Sequence, residues 1–491
     1  MTTFEGLSPP ADLEFRIATG TFDLSFLSHD ALGFSVTLAL EAGLQALLEV
    51  YAPDGALRLQ IVRYREGRSP MARVLRDRAG TSRNARPGPF PPGTWSYRLS
   101  ARNVTSLGET GPHERRWSFA LTPVGPGDAV TSPSDAARDA PVAPEAGPVD
   151  PLRGTEWGGI RWYAGDLHQH TTLSDGTLDP ISLVRANRAQ GHAFMSITDH
   201  QVLQPRSDLP GLLVLGGTEV TTPHGHFLRI GDEPPAGLLP DAPGEVFGDC
   251  ADLHRLCTRF HDEGAFLVAC HPAFPPWHWR CDPLSGFPFD AVEILCDPTH
   301  PRAAAAAEDA LRLWNGLLDA GRRTVGVGGS DFHGPPAEPT AAGGPVGRPG
   351  DPTTFLAGPP SMEPGQPVPA SLREGRVAVG RGFLPGLSAY QEGRERLPGE
   401  SIALPVGGAA GPIRIRAAIV PLAAGRHGTS FRCTITGSGG TGERFDVRAG
   451  SPVDRSFLPP DRAEGWFRLD IRDASDSLCG FTNPIRWRRI Q

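Results

Sequence analysis

Between residues 194 and 333, short apolar runs each stop at a residue type that binds metal ions. "SITDH" ends in Asp199 and His200, "GGTEV" carries Glu219, "ACHP" reaches His271, "VEILC" ends in Cys296, and "GGSDFH" holds Asp331 and His333. Helical segments alternate with these runs. "DPISLVRANRAQG" offers Asp179 as N-cap, Pro180 in the first turn and Gly191 as the stop, and "RAAAAAEDALRLWNGLLDAG" stops at Gly321. Strand and helix in alternation imply parallel βα units, and in a βα barrel the C-terminal strand ends converge on one face, where active sites are built. Upstream, "GDLHQHTTLSDGT" sets His168 and His170 one residue apart, so an extended chain aims both imidazoles at one point. Alone, that pair fits a polar loop as readily as a metal site. With His226 of "HGHFLRIG", six of the fifteen histidines map to one mouth, which favours the metal.

A chain of 491 residues exceeds one compact core and implies several domains. Its 60 Gly and 51 Pro point to many turns and β-rich portions. All 47 basic residues are arginine, the net charge is −8, and the longest basic block is the terminal "RWRR", so a grip on long nucleic acid is not indicated. The seven cysteines show no paired spacing, which argues against a disulfide framework or zinc finger and fits a reducing compartment. No leader pattern opens "MTTFEGLSPPADLEF", and no run approaches the roughly 18 apolar residues that span a membrane. The expectation is a soluble cytoplasmic protein with no membrane partner. Its oligomeric state is left open.

Residues 1–121 carry alternating runs such as "LRLQIVRYRE" between Gly, Pro and Asp turns, predicting a small β-sandwich-like domain. Residues 122–153 are rich in Pro, Ala and Gly and read as a linker. The βα pattern fills 154–385, and alternating strands return over 386–491 as a C-terminal β-domain.

In order, "GDLHQHTTLSDG", "ITDH", "GTEVTT...GHF", "CHP" and "GGSDFHG" resemble the motifs of the PHP (polymerase and histidinol phosphatase) metallohydrolases over about residues 160–385. "GRPGDPTTFLA", "LREGRVAV" and "FRLDIRD...TNPI" look more like the branch that includes carbaryl (carbamate-ester) hydrolases. The resemblance implies a distorted (β/α)7 barrel flanked by the two small β-domains, with two or three divalent metal ions. It implies that His168, His170, Glu219 and Asp331 hold the first ion, Glu219 bridges to a second held by His271, and Asp175, His200 and His333 form the third site. Cys296 falls where the family often has Asn, His or Cys.

Imidazoles and carboxylates together suit Zn, Mn or Fe. A metal-bridging hydroxide is then a nucleophile at neutral pH, and Asp331 is placed to orient that water or take its proton. Glu219, Asp331 and His226 are the candidate catalytic residues, with His226 open as ligand, substrate contact or support for a ligand. Asp166 either orients a ligand histidine or caps a loop. Phe274, Trp277, His278 and Trp279 follow His271 directly and form either a pocket wall for an apolar substrate or the packing of a Pro-rich loop. His192 reads as structural, His224 as surface, and His254 and His261 lie on a predicted helix. Three functions follow: a phosphoesterase of the family's commonest kind, with Arg348, Arg381 or Arg206 as phosphate contacts; a carbamate or carboxylic ester hydrolase for an aromatic substrate; and a non-catalytic metal-binding barrel. The first two imply a small-molecule ester as the partner.

Overall fold

Antiparallel pairing organises the N-terminal segment into two sheets. One runs Thr2–Leu7, Arg116–Val124, Gly33–Leu40, with Gly67–Arg68 and Ala72–Leu75 beside the last, and the other runs Arg16–Phe22, Trp95–Asn103, Leu44–Tyr51, Leu57–Arg63. Phe34, Leu48, Val50, Trp95 and Phe119 share one buried core between them. Successive side chains of a strand face opposite ways, so Leu47 points out of that core, and with Val62 it packs into the central one. The computed structural model describes residues 1–7, 16–41, 44–63, 67–68, 72–77, 81–82, 85–103, 115–128, 154–232, 249–334, 347–391, 393–405, 411–422 and 428–490. The expected linker beyond residue 128 lies outside the described residues.

The central segment is mixed, dominated by sheet, with few helices. Ile160–Asp166 pairs parallel with Phe194–Ser196, which pairs parallel with Leu212–Leu215, while Thr353–Ala357 lies antiparallel on the other side. A second sheet runs Gly217–Thr222, Gly225–Ile230, Phe266–Ala269, Ala291–Cys296, Val325–Gly329, its first two pairings antiparallel and its last two parallel. The expected (β/α)7 barrel is therefore not clearly formed. After Glu219 the chain turns directly at Pro223 and His224 into an antiparallel hairpin. The two sheets meet through parallel bridges, Gln169 to Phe332 and His200 to Glu219, made by the histidine- and carboxylate-bearing segments themselves.

Helices cover the outside. Asp179 caps Pro180–Ala189 by accepting from the Ile181 and Ser182 amides, and Gly191 takes the left-handed φ of 78° that ends it. Asp249 and Asp252 form a capping box for Cys250–Asp262. Ala303–Asp319 buries Leu311, Trp314 and Leu318, and Trp314 lies against the strand at Gly326, where an added Cβ would meet its ring at 2.6 Å. No helix among the described residues is long and apolar enough to cross a membrane.

The first sheet continues through Val377–Gly380 into Leu478–Thr482, Glu464–Arg472, Ser430–Gly437 and Thr441–Arg448. The Asn483 side chain bonds both the N–H and C=O of Gly326, fastening this C-terminal sheet to the second sheet. Strand Phe383–Gln391 crosses residue 386, pairing with Ile413–Pro421. The cysteine expectation is corrected at one pair: Cys250 and Cys281 form a disulfide across 31 residues, while the other five are buried and free. Their spacing in sequence held no signal because the Pro-rich segment after His271 folds back onto the helix that starts at Cys250.

His192 is structural. Its Nδ1 donates to Asn187 Oδ1 at 2.7 Å, and Asn187 Nδ2 donates to Gln169 Oε1 at 2.7 Å, so this buried chain of contacts anchors the residue between His168 and His170. Burial, with Arg348 nearby, lowers the His192 pKa from 6.5 to about 4. The unfolded chain therefore binds the proton first, and the stability due to neutral His192 is present above pH 6.5 and lost as pH falls toward 4. Between pH 7 and 5 the linked loss is about 2 kcal/mol. Thermal melts of wild type and His192→Gln at both pH values check this, and a wild-type acid loss no steeper than the variant's contradicts it.

Candidate metal centre

Asp166 ends the strand that leads into the His168 segment and accepts from the His168, Ser330 and Gly350 amides and the Ser330 hydroxyl. Burial pushes its pKa up to about 6 in spite of these donors. Of its two readings, the structure gives the cap: Asp166 gathers backbone from three segments and touches no ligand ring. Asp199 does the same one strand along, accepting from the Thr171 amide and hydroxyl, the Ser174 hydroxyl and the Gln204 amide group. With the loops so held, His168 and His170 share a face, ring centroids 5.2 Å apart.

Glu219 is the hub. Its Oε2 lies 3.3 Å from His168 Nε2, 3.3 Å from His170 Nε2 and 3.0 Å from His200 Nδ1. Its Oε1 lies 2.8 Å from His226 Nδ1 and 3.3 Å from His271 Nε2. Asp331 Oδ1 stands 2.9 Å from His170 Nε2 and 3.3 Å from His168 Nε2. On the far side of His170, Asp175 reaches His333 at 3.3 Å and His200 at 3.7 Å. Three groups result, each with donor atoms within 4.8 Å of one another: His168, His170, Glu219, Asp331; His168, Glu219, Cys270, His271; and His170, Asp175, His200, His333. His271 and Asp331 adopt left-handed φ of 29° and 49°, unusual for non-glycine residues and found where a site over-determines the backbone.

These atoms are close without being paired. His168 Nε2, both His170 ring nitrogens, Glu219 Oε2 and Asp331 Oδ1 are buried and have no hydrogen-bond partner among the described residues. Orphaned buried polar atoms are costly, and their convergence on common points is the geometry of a cation site. The electrostatics agree. Burial opposes charge on His170, yet Asp331 and Glu219 raise its pKa to about 10. Burial likewise opposes charge on Glu219 and Asp331, and the facing imidazoles outweigh it and hold both carboxyls well below their usual range. The cluster demands positive charge at its centre, which bound divalent ions satisfy.

The structure therefore brings together His168, His170, Asp175, His200, Glu219, His271, Asp331 and His333. Cys296 groups with His168 and Glu293 instead of with Glu219 or Asp331. Burial and the nearby Glu293 and Asp331 carboxylates push its thiol pKa up. His226 meets Glu219 but belongs to none of these groups, and burial lowers its pKa to about 3. Glu293 and Cys270 were missed. Glu293 sits inside the apolar run "AVEILC", where only a charged residue in a buried strand signalled it, and Cys270 carried no signal beyond adjacency to His271. Phe274 and Trp277 pack against the His271 ring at 6.3 and 6.5 Å, and His300 joins them from the next loop at 4.7 and 6.1 Å. His224, half-buried, lies 4.0 Å from Cys250 at the disulfide, and His254 and His261 contact Gly286 and Asp290 away from the cluster.

His200 Nε2 faces Asp175 while its Nδ1 meets Thr221 at 2.8 Å, so His200→Ala removes a donor of the Asp175 group chiefly. Metal content of the purified variant should fall by about one ion per chain. Unchanged stoichiometry by elemental analysis counts against a separate third position.

No family model and no curated protein matches this sequence. Among solved structures, the chain is similar to a two-domain protein containing a predicted PHP-like metal-dependent phosphoesterase from Bacteroides vulgatus ATCC 8482, with 16% identity, 69% of this chain and 100% of that chain covered, and a TM-score of 0.35. It is also similar to a DUF3823 family protein from Bacteroides ovatus ATCC 8483, with 10% identity, 28% of this chain and 74% of that chain covered, and a TM-score of 0.15.

Proposed function

We propose that this chain is a metal-dependent hydrolase acting on a small-molecule ester, of the PHP type its motifs resemble, with a phosphoester as the first substrate class. The observation that carries this reading is the set of buried, unpaired imidazole and carboxylate atoms shared among three overlapping groups around Glu219. In it, His168, His170, Glu219 and Asp331 would hold one divalent ion, Glu219 and His271 a second, and Asp175, His200 and His333 a third. Ions bound there neutralise charge on attacking and leaving oxygens and acidify water.

The protein's own part is positional and protonic. Asp331 and His333 are the cluster members open to solvent, their side chains 21% and 29% exposed, so the substrate approaches from their side. Asp331, held anionic by the His168, His333 and His170 imidazoles, accepts the proton of the attacking water. His226, kept neutral by burial, donates Nδ1–H to Glu219 and fixes the carboxylate's angle, a positioning role.

A second reading, a carbamate or carboxylic ester with an aromatic group, is favoured by the Phe274, Trp277 and His300 rings beside His271. Two of the arginines suited to a phosphate are engaged elsewhere: Arg381 pairs with Asp351 and Arg206 with Asp208. Elemental analysis followed by a panel of aryl phosphates, phosphodiesters and aryl carbamates separates the two. A metal-loaded protein that cleaves none of these fits neither.

A further inference from the structure

Glu293 is a buried carboxylate to which the reaction above gives no task. It lies in strand Ala291–Cys296 and is 1% exposed. Its Oε1 is 3.1 Å from His168 Nδ1, its Oε2 3.4 Å from the same nitrogen, and Oε2 also accepts the His271 backbone N–H at 2.9 Å. One side chain thus touches two residues of the candidate metal centre that are 103 positions apart (271 − 168), each just past the end of a different strand.

The strand is shaped for this contact. Its register against Val325–Gly329 shifts between Glu293 and Leu295. Such bulges re-aim side chains and recur next to active sites. On the neighbouring strand the residue facing the carboxylate is Gly329, where an added Cβ would stand 2.4 Å from Glu293 Oε1 and 2.4 Å from the His168 Cβ. Only a residue without a side chain lets the carboxylate reach the imidazole.

The chemical consequence follows from donor and acceptor inventory. A carboxylate only accepts, so His168 must carry its proton on Nδ1. Nε2 is then the nitrogen directed at the point shared with Glu219 and Asp331, 3.3 Å from each, and the one that would meet a cation there. Because both Glu293 oxygens accept, glutamine cannot replace it silently: its NH2 must face either the His271 N–H or the Nδ1–H of His168.

We infer that Glu293 is a positioning residue that sets the tautomer and ring orientation of His168 and the backbone of His271, tying two ion positions to one carboxylate. The inference rests on the reading that the cluster holds metal. Glu293 reaches His168 and His271, so its influence falls on the positions that use those two residues.

The test is zinc titration against a chromophoric chelator on wild type, Glu293→Gln and Glu293→Asp, with imidazole 15N NMR reporting which His168 nitrogen carries the proton in the zinc-loaded protein. The expected result is a 10- to 100-fold loss of zinc affinity at the His168 and His271 positions in Glu293→Gln. The ion at Asp175 is retained, and either the Nδ1–H signature of His168 or the His271 amide hydrogen bond is lost. Glu293→Asp, which keeps the charge but is too short to span both partners, should keep one contact and lose less. Circular dichroism controls for folding, and if Glu293→Gln does not fold, the Asp variant carries the same comparison with a smaller loss. A folded variant with wild-type affinity and tautomer overturns the inference alone. Wild-type protein that takes up no zinc overturns the metallohydrolase reading as well, and the two failures are thereby distinct.

Discussion

Glu219→Ala should lose on the order of 10³-fold or more in turnover, a barrier increase of about 4 kcal/mol. One carboxylate faces five imidazoles, those of His168, His170, His200, His226 and His271, at 2.8 to 3.3 Å. Removing it takes away the carboxylate that would serve both the proposed first and second ion positions and the negative charge that orients their histidines. The fold should survive, because the core is built from Phe227, Leu228, Phe266, Val268 and Val292 on neighbouring strands of the same sheet and owes nothing to the carboxylate. The measurements are turnover on whichever panel substrate responds, metal content, and circular dichroism. Full activity in folded Glu219→Ala would sink the proposed mechanism.

Asp331→Asn should cost a comparable amount, again on the order of 10³-fold. Asparagine keeps the shape and tolerates the left-handed backbone at φ 49°, so little stability is at stake. What disappears is the charge facing His170 Nε2 at 2.9 Å and His168 Nε2 at 3.3 Å, along with the proton acceptor. The two roles separate experimentally. If charge alone matters, added Mn²⁺ or Zn²⁺ at high concentration restores the variant; if Asp331 accepts the proton, activity stays low with the site filled. Chelation of the wild type should mimic both substitutions, with recovery when metal is returned, and full turnover by metal-stripped wild type would contradict them all.

Much of this was legible in the chain itself. Strand ends and helix caps are local: Asp179, Gly191 and Gly321 act within a turn of their helices, and apolar runs ending in His, Asp or Glu announce where strands deliver ligands. The two-residue spacing of His168 and His170 puts their rings on one side because the chain past Asp166 bridges through Gln169 to Phe332 as a strand would. Asp166 shows where local reading stops. Its sequence neighbours permit a cap or a ligand support, and only the arrival of Ser330 and Gly350, 164 and 184 residues away, settles it as the cap.

The sequence by itself determined the residue types of the candidate centre, their order, and the covering helices, because each depends on periodicity or on a cap within a few residues. Tertiary structure alone decided the rest. The central strands form two sheets joined through bridges at Gln169 and His200, not clearly a (β/α)7 barrel, and the segment after Glu219 turns back as a hairpin. The Cys250 to Cys281 disulfide and the Glu293 contact to His168, 125 residues distant, join segments whose spacing carries no periodic signal. Proximity across such distances is produced by packing, and the pairing of donors and acceptors it creates is a property of the folded chain.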